Sequence, residues 1–258
     1  INKYIIYLMA GHSKFKNIMH RKGAQDKSRA KLFSKSGREI SIAVRLGGND
    51  ITSNFRLKAA ISSAKNANLP KDNIERAIKK GEGYGADSNF EEICYEGYGP
   101  GGVAIMVDAM TNNRNRTASE IRTIFSKNGG QLAENGSVSF NFIKVGKIVF
   151  NKDVCNEEKI FNLVVDNGLI DFESNKLQYV IYTELEKFKN MVQILTDKIG
   201  QPNFYEIVRK SKEKFEIESE KTEIIKKLFI ELEENEDVQN VFSNLEQDYE
   251  NLENTIIN

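Results

Sequence analysis

Cysteine and histidine are scarce. The 258-residue chain holds two of each, Cys94 and Cys155, His12 and His20. The cysteines fall in unrelated contexts without paired spacing, which argues against a disulfide framework and a zinc site and fits a reducing compartment. The histidines stand eight residues apart with no Asp, Glu or Cys between them, so a metal centre lacks a ligand set. Long apolar runs are missing too. The opening "INKYIIYLMA" is too short to span a membrane and lacks a signal peptide's charged start and cleavage pattern. The expected location is the cytoplasm, with no membrane partner. The chain shows no internal repeat, low-complexity tract or heptad seam.

Catalytic motifs are absent as well. "GHSKF" lacks the second glycine of a nucleophile elbow, and Ser13 has no sequence-evident base. The glycines of "YEGYGPGGV" (95–103) are followed by no Lys-Ser/Thr pair and precede a strand, so they read as a turn between two strands rather than a phosphate cradle. We expect no enzyme, no catalytic residue, no metal, no cofactor and no small-molecule substrate.

What is present is charge, unevenly spread. The whole chain is neutral, with 37 Lys and Arg against 37 Asp and Glu. Residues 1–85 hold 18 basic and 6 acidic side chains, a net charge of +12, and residues 86–258 carry the compensating −12. A basic segment on a balanced chain points to polyanion binding by that segment. The stretch "GHSKFKNIMHRKG" (11–23) concentrates the effect, with four Lys and Arg, both histidines and no acid. Its candidate nucleic-acid contacts are His12, Lys14, Phe15, Lys16, Asn17, His20, Arg21 and Lys22: cations for phosphate, rings for stacking, an amide for base edges.

The pattern after it is helical. Over 24–46, Phe33, Ile40 and Val44, with Gly37, share one face. Lys27, Lys31, Lys35, Arg38 and Arg45 are expected on the opposite, cationic face; the first four join the candidate contacts. "GGND" stops this helix, Ser53 or Asn54 caps a second that ends before Pro70, and Pro70 opens a third that runs to Gly81. A linker is expected over 81–88. Strands then alternate with helices: strand 101–110, helix 114–130 and strand 137–142. A β-α-β-β-α-β set follows over 146–210, the ferredoxin-like split motif. A last helix (219–235) and strand (238–244) supply what the set starting at 101 lacks. The expected fold class is α+β: an N-terminal helical domain followed by two ferredoxin-like α+β domains, the third inserted in the second. The boundaries are 1–85, then 86–144 with 212–258, then 145–211. The acidic domains would be repelled by phosphate, leaving them for a protein partner or the ribosome. A second candidate surface comprises Tyr95 and Tyr98 with Asn112, Asn113, Arg114 and Arg116; turn and cap chemistry by Asn112 and Asn113 explains it equally well.

The segments "MAGHSKFKNIMHRKGAQDKSRAKLF", "LPKDNIERAIKKG", "YEGYGPGGVAIMVDAMTNNRNRTASEIR" and "GGQLAENGSVSFNF" resemble the YebC/PmpR family, which includes the mitochondrial translational activator of cytochrome c oxidase subunit I. The resemblance runs from Met9 almost to the end. It implies that residues 1–8 are an upstream extension or a misplaced start, and it departs at Phe15, where the family usually has tryptophan. It also implies the same three-domain order and a DNA-binding transcriptional regulator, with a ribosome-associated translation factor as the alternative. Under it, 12–22 and 27–38 carry nucleic-acid contact, and 95–102 with 112–116 form a second functional surface.

Overall fold

The computed structural model describes residues 22–83 and 90–245, with side chains from residue 29 onward. Three helices come first: α1 (Lys22–Gly47), α2 (Phe55–Asn66) and α3 (Lys71–Gly81). Gly48, at φ +81, ends α1. Asn54 then joins two helices: its Oδ1 accepts from the Leu57 amide at 3.0 Å as the α2 cap, while its Nδ2 donates to the Ala43 and Gly48 carbonyls. Ile40, Ala43 and Val44 of α1 pack with Leu57, Ile61 and Ala64 of α2 and Ile74 and Ala77 of α3. The Arg56 guanidinium forks onto the Glu39 carboxylate at 2.8 and 3.0 Å across the same pair of helices.

Two four-stranded sheets follow. The first consists of β1 (Glu91–Tyr98), β2 (Ala104–Thr111), β3 (Gln131–Leu132) and β8 (Val238–Ser243), in the order β3-β1-β2-β8. Helices α4 (Arg114–Lys127) and α7 (Ser219–Glu234) belong with it. The second consists of β4 (Phe142–Asn151), β5 (Leu169–Ser174), β6 (Gln178–Glu184) and β7 (Phe204–Ser211), in the order β5-β6-β4-β7, with α5 (Glu157–Val164) and α6 (Phe188–Ile199). The second sheet follows the expected β-α-β-β-α-β sequence. The first instead opens with a β1–β2 hairpin in register from Glu91↔Thr111 to Tyr98↔Ala104. The protein is α+β, with a helical region ahead of two antiparallel sheets, and the chain of the second sheet interrupts that of the first.

The fold divides into two compact units, one holding the chain up to Phe90 with Lys144–Arg209, the other Glu91–Ile143 with the chain from Lys210 onward. Within the first, α2 lies on the second sheet's core. Phe55 meets Phe188 edge-on at 5.1 Å and stacks on Tyr205 at 5.7 Å, and Ala59 joins the cluster of Ile148, Phe150, Ile181 and Leu195.

Two local expectations fail. "SVSFNF" (137–142) is not a strand: a 3-10 turn spans Ser139–Asn141 and β4 starts at Phe142. The expected cationic face of α1 is open at Arg45 but closed at Lys35. Residues 40–44 are buried without a break, so α1 is enclosed around its whole circumference there, and Lys35 is buried at 8% exposure.

Candidate functional site

His12, Lys14, Phe15, Lys16, Asn17, His20 and Arg21 lie outside the described residues. Lys22 and Lys27 are on α1, but their side chains are outside the described set. Lys31 is half-buried, and Lys35 is buried, contrary to the expected solvent face. Arg38 is half-buried, with its guanidinium 5.3 Å above the Phe90 ring; Lys80 approaches the same ring at 5.6 Å, and Arg45 donates to the Phe90 carbonyl at 3.2 Å. These cations hold Phe90 by ring and carbonyl contacts.

Arg29 and Arg45 of α1 are exposed, and the other exposed cations of the described helical region lie on α2 and α3. On α2, Lys58 and Lys65 are exposed one heptad apart, on one face, with half-buried Ser62 between them. On α3, Lys71, Arg76 and Lys79 are exposed, Lys71 to 87%. None of these five cations on α2 and α3 is among the contacts expected from the sequence, where Lys79 and Lys80 suit the helix dipole at the end of α3. The signal was the seven-residue spacing of Lys58 and Lys65, which sets them on one flank of the stripe formed by Leu57, Ile61 and Ala64.

The second surface has a different character. Asn113 caps α4, its Oδ1 accepting from the Arg116 amide at 3.1 Å. The Asn112 Oδ1 accepts from the Arg116 guanidinium at 3.4 Å, and the Arg114 side chain is exposed. Arg116 donates on to Asp237 at 2.7 Å, and the same carboxylate oxygen accepts from Thr117 at 2.6 Å and Thr111 at 3.1 Å. Asp237 is buried; burial by itself raises its pKa, but the hydrogen bonds from Thr117, Arg116 and Thr111 outweigh it and hold the carboxyl below its usual range. The cluster ties the end of β2 and the start of α4 to the start of β8. Tyr95 is buried against it, donating to the Arg114 carbonyl at 3.3 Å, and burial pushes its phenol pKa up.

Tyr98 and Glu96 hold the neighbouring loop. The Tyr98 hydroxyl donates to the Ser137 carbonyl at 2.7 Å. Glu96 is buried and accepts from the amides of Gly136, Val138 and Ser139 at 2.8–2.9 Å. Burial raises its pKa, and the three amides more than reverse the effect. In the "YEGYGPGG" stretch, Gly101 and Gly102 take φ of +80° and +90° in the turn between β1 and β2. The Tyr95–Gly102 and Asn112–Arg116 segments thus owe much of their composition to structure. Among the described residues no three His, Cys, Asp or Glu converge as a metal set, and no helix is long and apolar enough to cross a membrane.

Over most of its length the chain is similar to known proteins. Residues 13–84 match the N-terminal domain described for TACO1/YebC proteins, and residues 90–245 match the second and third domain of that family. Among solved structures, the chain is similar to the crystal structure of a conserved hypothetical protein from Aquifex aeolicus. The two are 42% identical with a TM-score of 0.80, over 91% of this chain and 97% of that one. The chain belongs to the TACO1/YebC family.

Proposed function

We propose that this protein is a non-catalytic, nucleic-acid-binding regulator of gene expression that works through phosphate contacts from its helical region. The observation that carries the reading is the division of charge, +12 over residues 1–85 against −12 over the rest. Family membership supports a regulatory role, and the exposed Lys58, Lys65, Lys71, Arg76 and Lys79 supply cations on α2 and α3. Of the two forms such a regulator takes, the ribosome-associated one is favoured. A groove-reading helix needs a free polar face, and in the middle of α1, among the described side chains, Lys35 is buried and Arg38 stacks on Phe90. Folded RNA, recognised by backbone and shape, asks only for exposed cations.

The test uses the full chain, because α2 shares a core with the second sheet. Its binding to structured ribosomal RNA and to duplex DNA is measured across a salt series, alongside the double variant Lys58→Glu, Lys65→Glu. The expected result is tighter RNA binding that weakens steeply with salt. The variant should flatten the log–log salt slope by roughly the contribution of two phosphate contacts. Sequence-dependent preference for a DNA duplex would replace this form with an operator-binding one, and no salt-sensitive binding to either polymer would overturn the reading.

A further inference from the structure

Exposed apolar side chains gather on one flank of the second sheet. Of the eleven large hydrophobic side chains exposed among the described residues, five fall within 161–185: Phe161, Val165, Ile170, Leu177 and Leu185. Scattered ones are ordinary, so the concentration matters only where its members adjoin. Phe161 and Val165 stand four residues apart on one flank of α5, 40% and 45% exposed, and Val165 keeps helical backbone angles just past the last turn. The Phe161 ring meets Phe172 of β5 edge-on at 5.6 Å, and Phe172 stacks on Tyr179 of β6 at 5.8 Å. The two rings behind it hold Phe161 in place while much of it stays in water. Ile170, at the bulge of β5 two residues before Phe172, is exposed as well.

The charges bordering this flank select its occupant. Residues 152–187 hold eight Asp and Glu against four Lys, a net charge of −4. Glu157 and Glu158 lie one turn before Phe161, Asp166 follows Val165 and Glu173 follows Phe172, and all four are exposed. The Glu157 carboxylate accepts from the Ser174 hydroxyl of β5 at 2.5 Å, which places it across the gap that Phe161 and Phe172 bridge. The lysines do not cancel these acids at the rings. Lys152 pairs with Glu157 at 3.7 Å and lies over Tyr179, and Lys159 is about 160° round α5 from Phe161. Lys176 belongs to the β5–β6 turn, and the Lys187 stem and the Glu184 carboxyl share the Gly168 end of the flank. A nucleic acid would be repelled here. A second copy docked through the same face would set this charge against itself, and the β5 bulge interrupts the edge on which a strand would add. We propose that the α5–β5 flank built on Phe161, Val165 and Phe172 docks a basic, amphipathic segment of another protein. Its apolar side chains meet the rings, and its Lys or Arg side chains face Glu157, Glu158 and Asp166. This inference goes beyond the nucleic-acid reading and does not depend on it.

The full-length protein is titrated against three labelled synthetic peptides, with binding read by fluorescence anisotropy: an amphipathic Lys/Leu helix, the same peptide with Ser for Leu, and a Glu/Leu helix. Saturable binding of the Lys/Leu helix alone, weakening with salt, is expected. Phe161→Ser with Val165→Ser, whose fold is checked by circular dichroism, should weaken that binding about thirtyfold, one interface hot spot expressed as affinity, with nucleic-acid affinity unchanged. Because Phe161 also packs on Phe172, a second variant leaves the rings in place: Glu158→Lys with Asp166→Lys should weaken peptide binding and flatten its salt dependence. A Lys/Leu helix that does not bind, that binds no tighter than the other two peptides, or that either variant leaves unweakened overturns the docking site and leaves the regulator reading standing. Self-association in sedimentation velocity that the serine variant abolishes gives the flank to a second copy and overturns the proposal. Loss of nucleic-acid binding in the folded serine variant gives the flank to nucleic acid and overturns it too.

Discussion

Asp237 shows how much a single side chain can hold. One carboxylate oxygen accepts from Thr111, Thr117 and Arg116, which lie 120 or more residues earlier in the chain. Asp237→Asn removes the charge but not the shape. It is expected to cost about 1.5–3 kcal/mol, the worth of hydrogen bonds to a charged group. The sign of the pH dependence follows from the lowered pKa. A carboxyl depressed in the folded state stabilises the fold above the unfolded pKa of about 3.9, and loses that contribution as pH falls through the lower folded value. Melting temperatures of wild type and Asp237→Asn should therefore differ most near neutrality and converge below about pH 4; a constant gap down to strong acid would refute this. Such a partnership was not legible in the sequence, since neither pattern nor spacing joins "TNNRNRT" to a lone aspartate beyond an intervening sheet. The caps were legible, because Asn54 and Asn113 bond within three residues of themselves. Lys35 was misplaced for a related reason. A one-helix projection sees only α1's own face, whereas α1 is enclosed on several sides.

Where elements cross, small residues set the distance. Gly81, the last residue of α3, lies so close to α1 that an added Cβ would come 2.5 Å from the Ser41 carbonyl oxygen and 2.6 Å from the Val44 Cβ. Gly37, on the same face of α1, would place its Cβ 4.0 Å from Ala77, an ordinary contact. Gly81→Ala is expected to destabilise by about 1–3 kcal/mol through overpacking. Gly37→Ala should instead be neutral or gain up to about 1 kcal/mol of helix propensity. Urea unfolding of the pair reads the contrast, and equal effects would refute the crossing as described. A second element-scale prediction concerns Glu96. Glu96→Gln puts an amide donor against one of three backbone donors, and about 1–3 kcal/mol should be lost. Faster hydrogen exchange at Gly136, Val138 and Ser139 would locate the damage in their loop. The alternation of "SVSFNF" suggested a strand because Val138, Phe140 and Phe142 recur at period two. In the structure Val138 and Phe142 are buried while Phe140 is exposed, so the alternation serves a turn pinned by Glu96. Strand β5 shows the opposite care at an edge. A bulge between Leu169 and Asp171, and the Asp171 carboxylate accepting from the Phe172 amide at 2.8 Å, leave it a poor template for another strand.

At the scale of the molecule, the order of elements was readable because caps, turns and periodicity are local, and because a last helix and strand were left over for the first sheet. Which parts share a core was not, since that depends on where α2 comes to rest. Charge alone would set the basic helices apart as a module, but apolar contacts join them to the second sheet. Phe55 sits between Phe188 and Tyr205, Ala59 joins the same cluster, and the Ser63 hydroxyl reaches the Tyr205 carbonyl at 3.4 Å. A helical module independent of that sheet would unfold on its own. A shared core makes the two cooperative, because losing either strips apolar surface from the other. Phe55→Ala opens a void between α2, α6 and β7, and is expected to cost about 3 kcal/mol. The decisive measurement is where the loss is felt. Native-state hydrogen exchange should show protection falling together in α2, in β7 and in α6, although the substituted residue belongs to the helical segment alone. Loss confined to α1–α3, with β4–β7 and α6 unchanged, would mean that the helices and the second sheet fold as separate units.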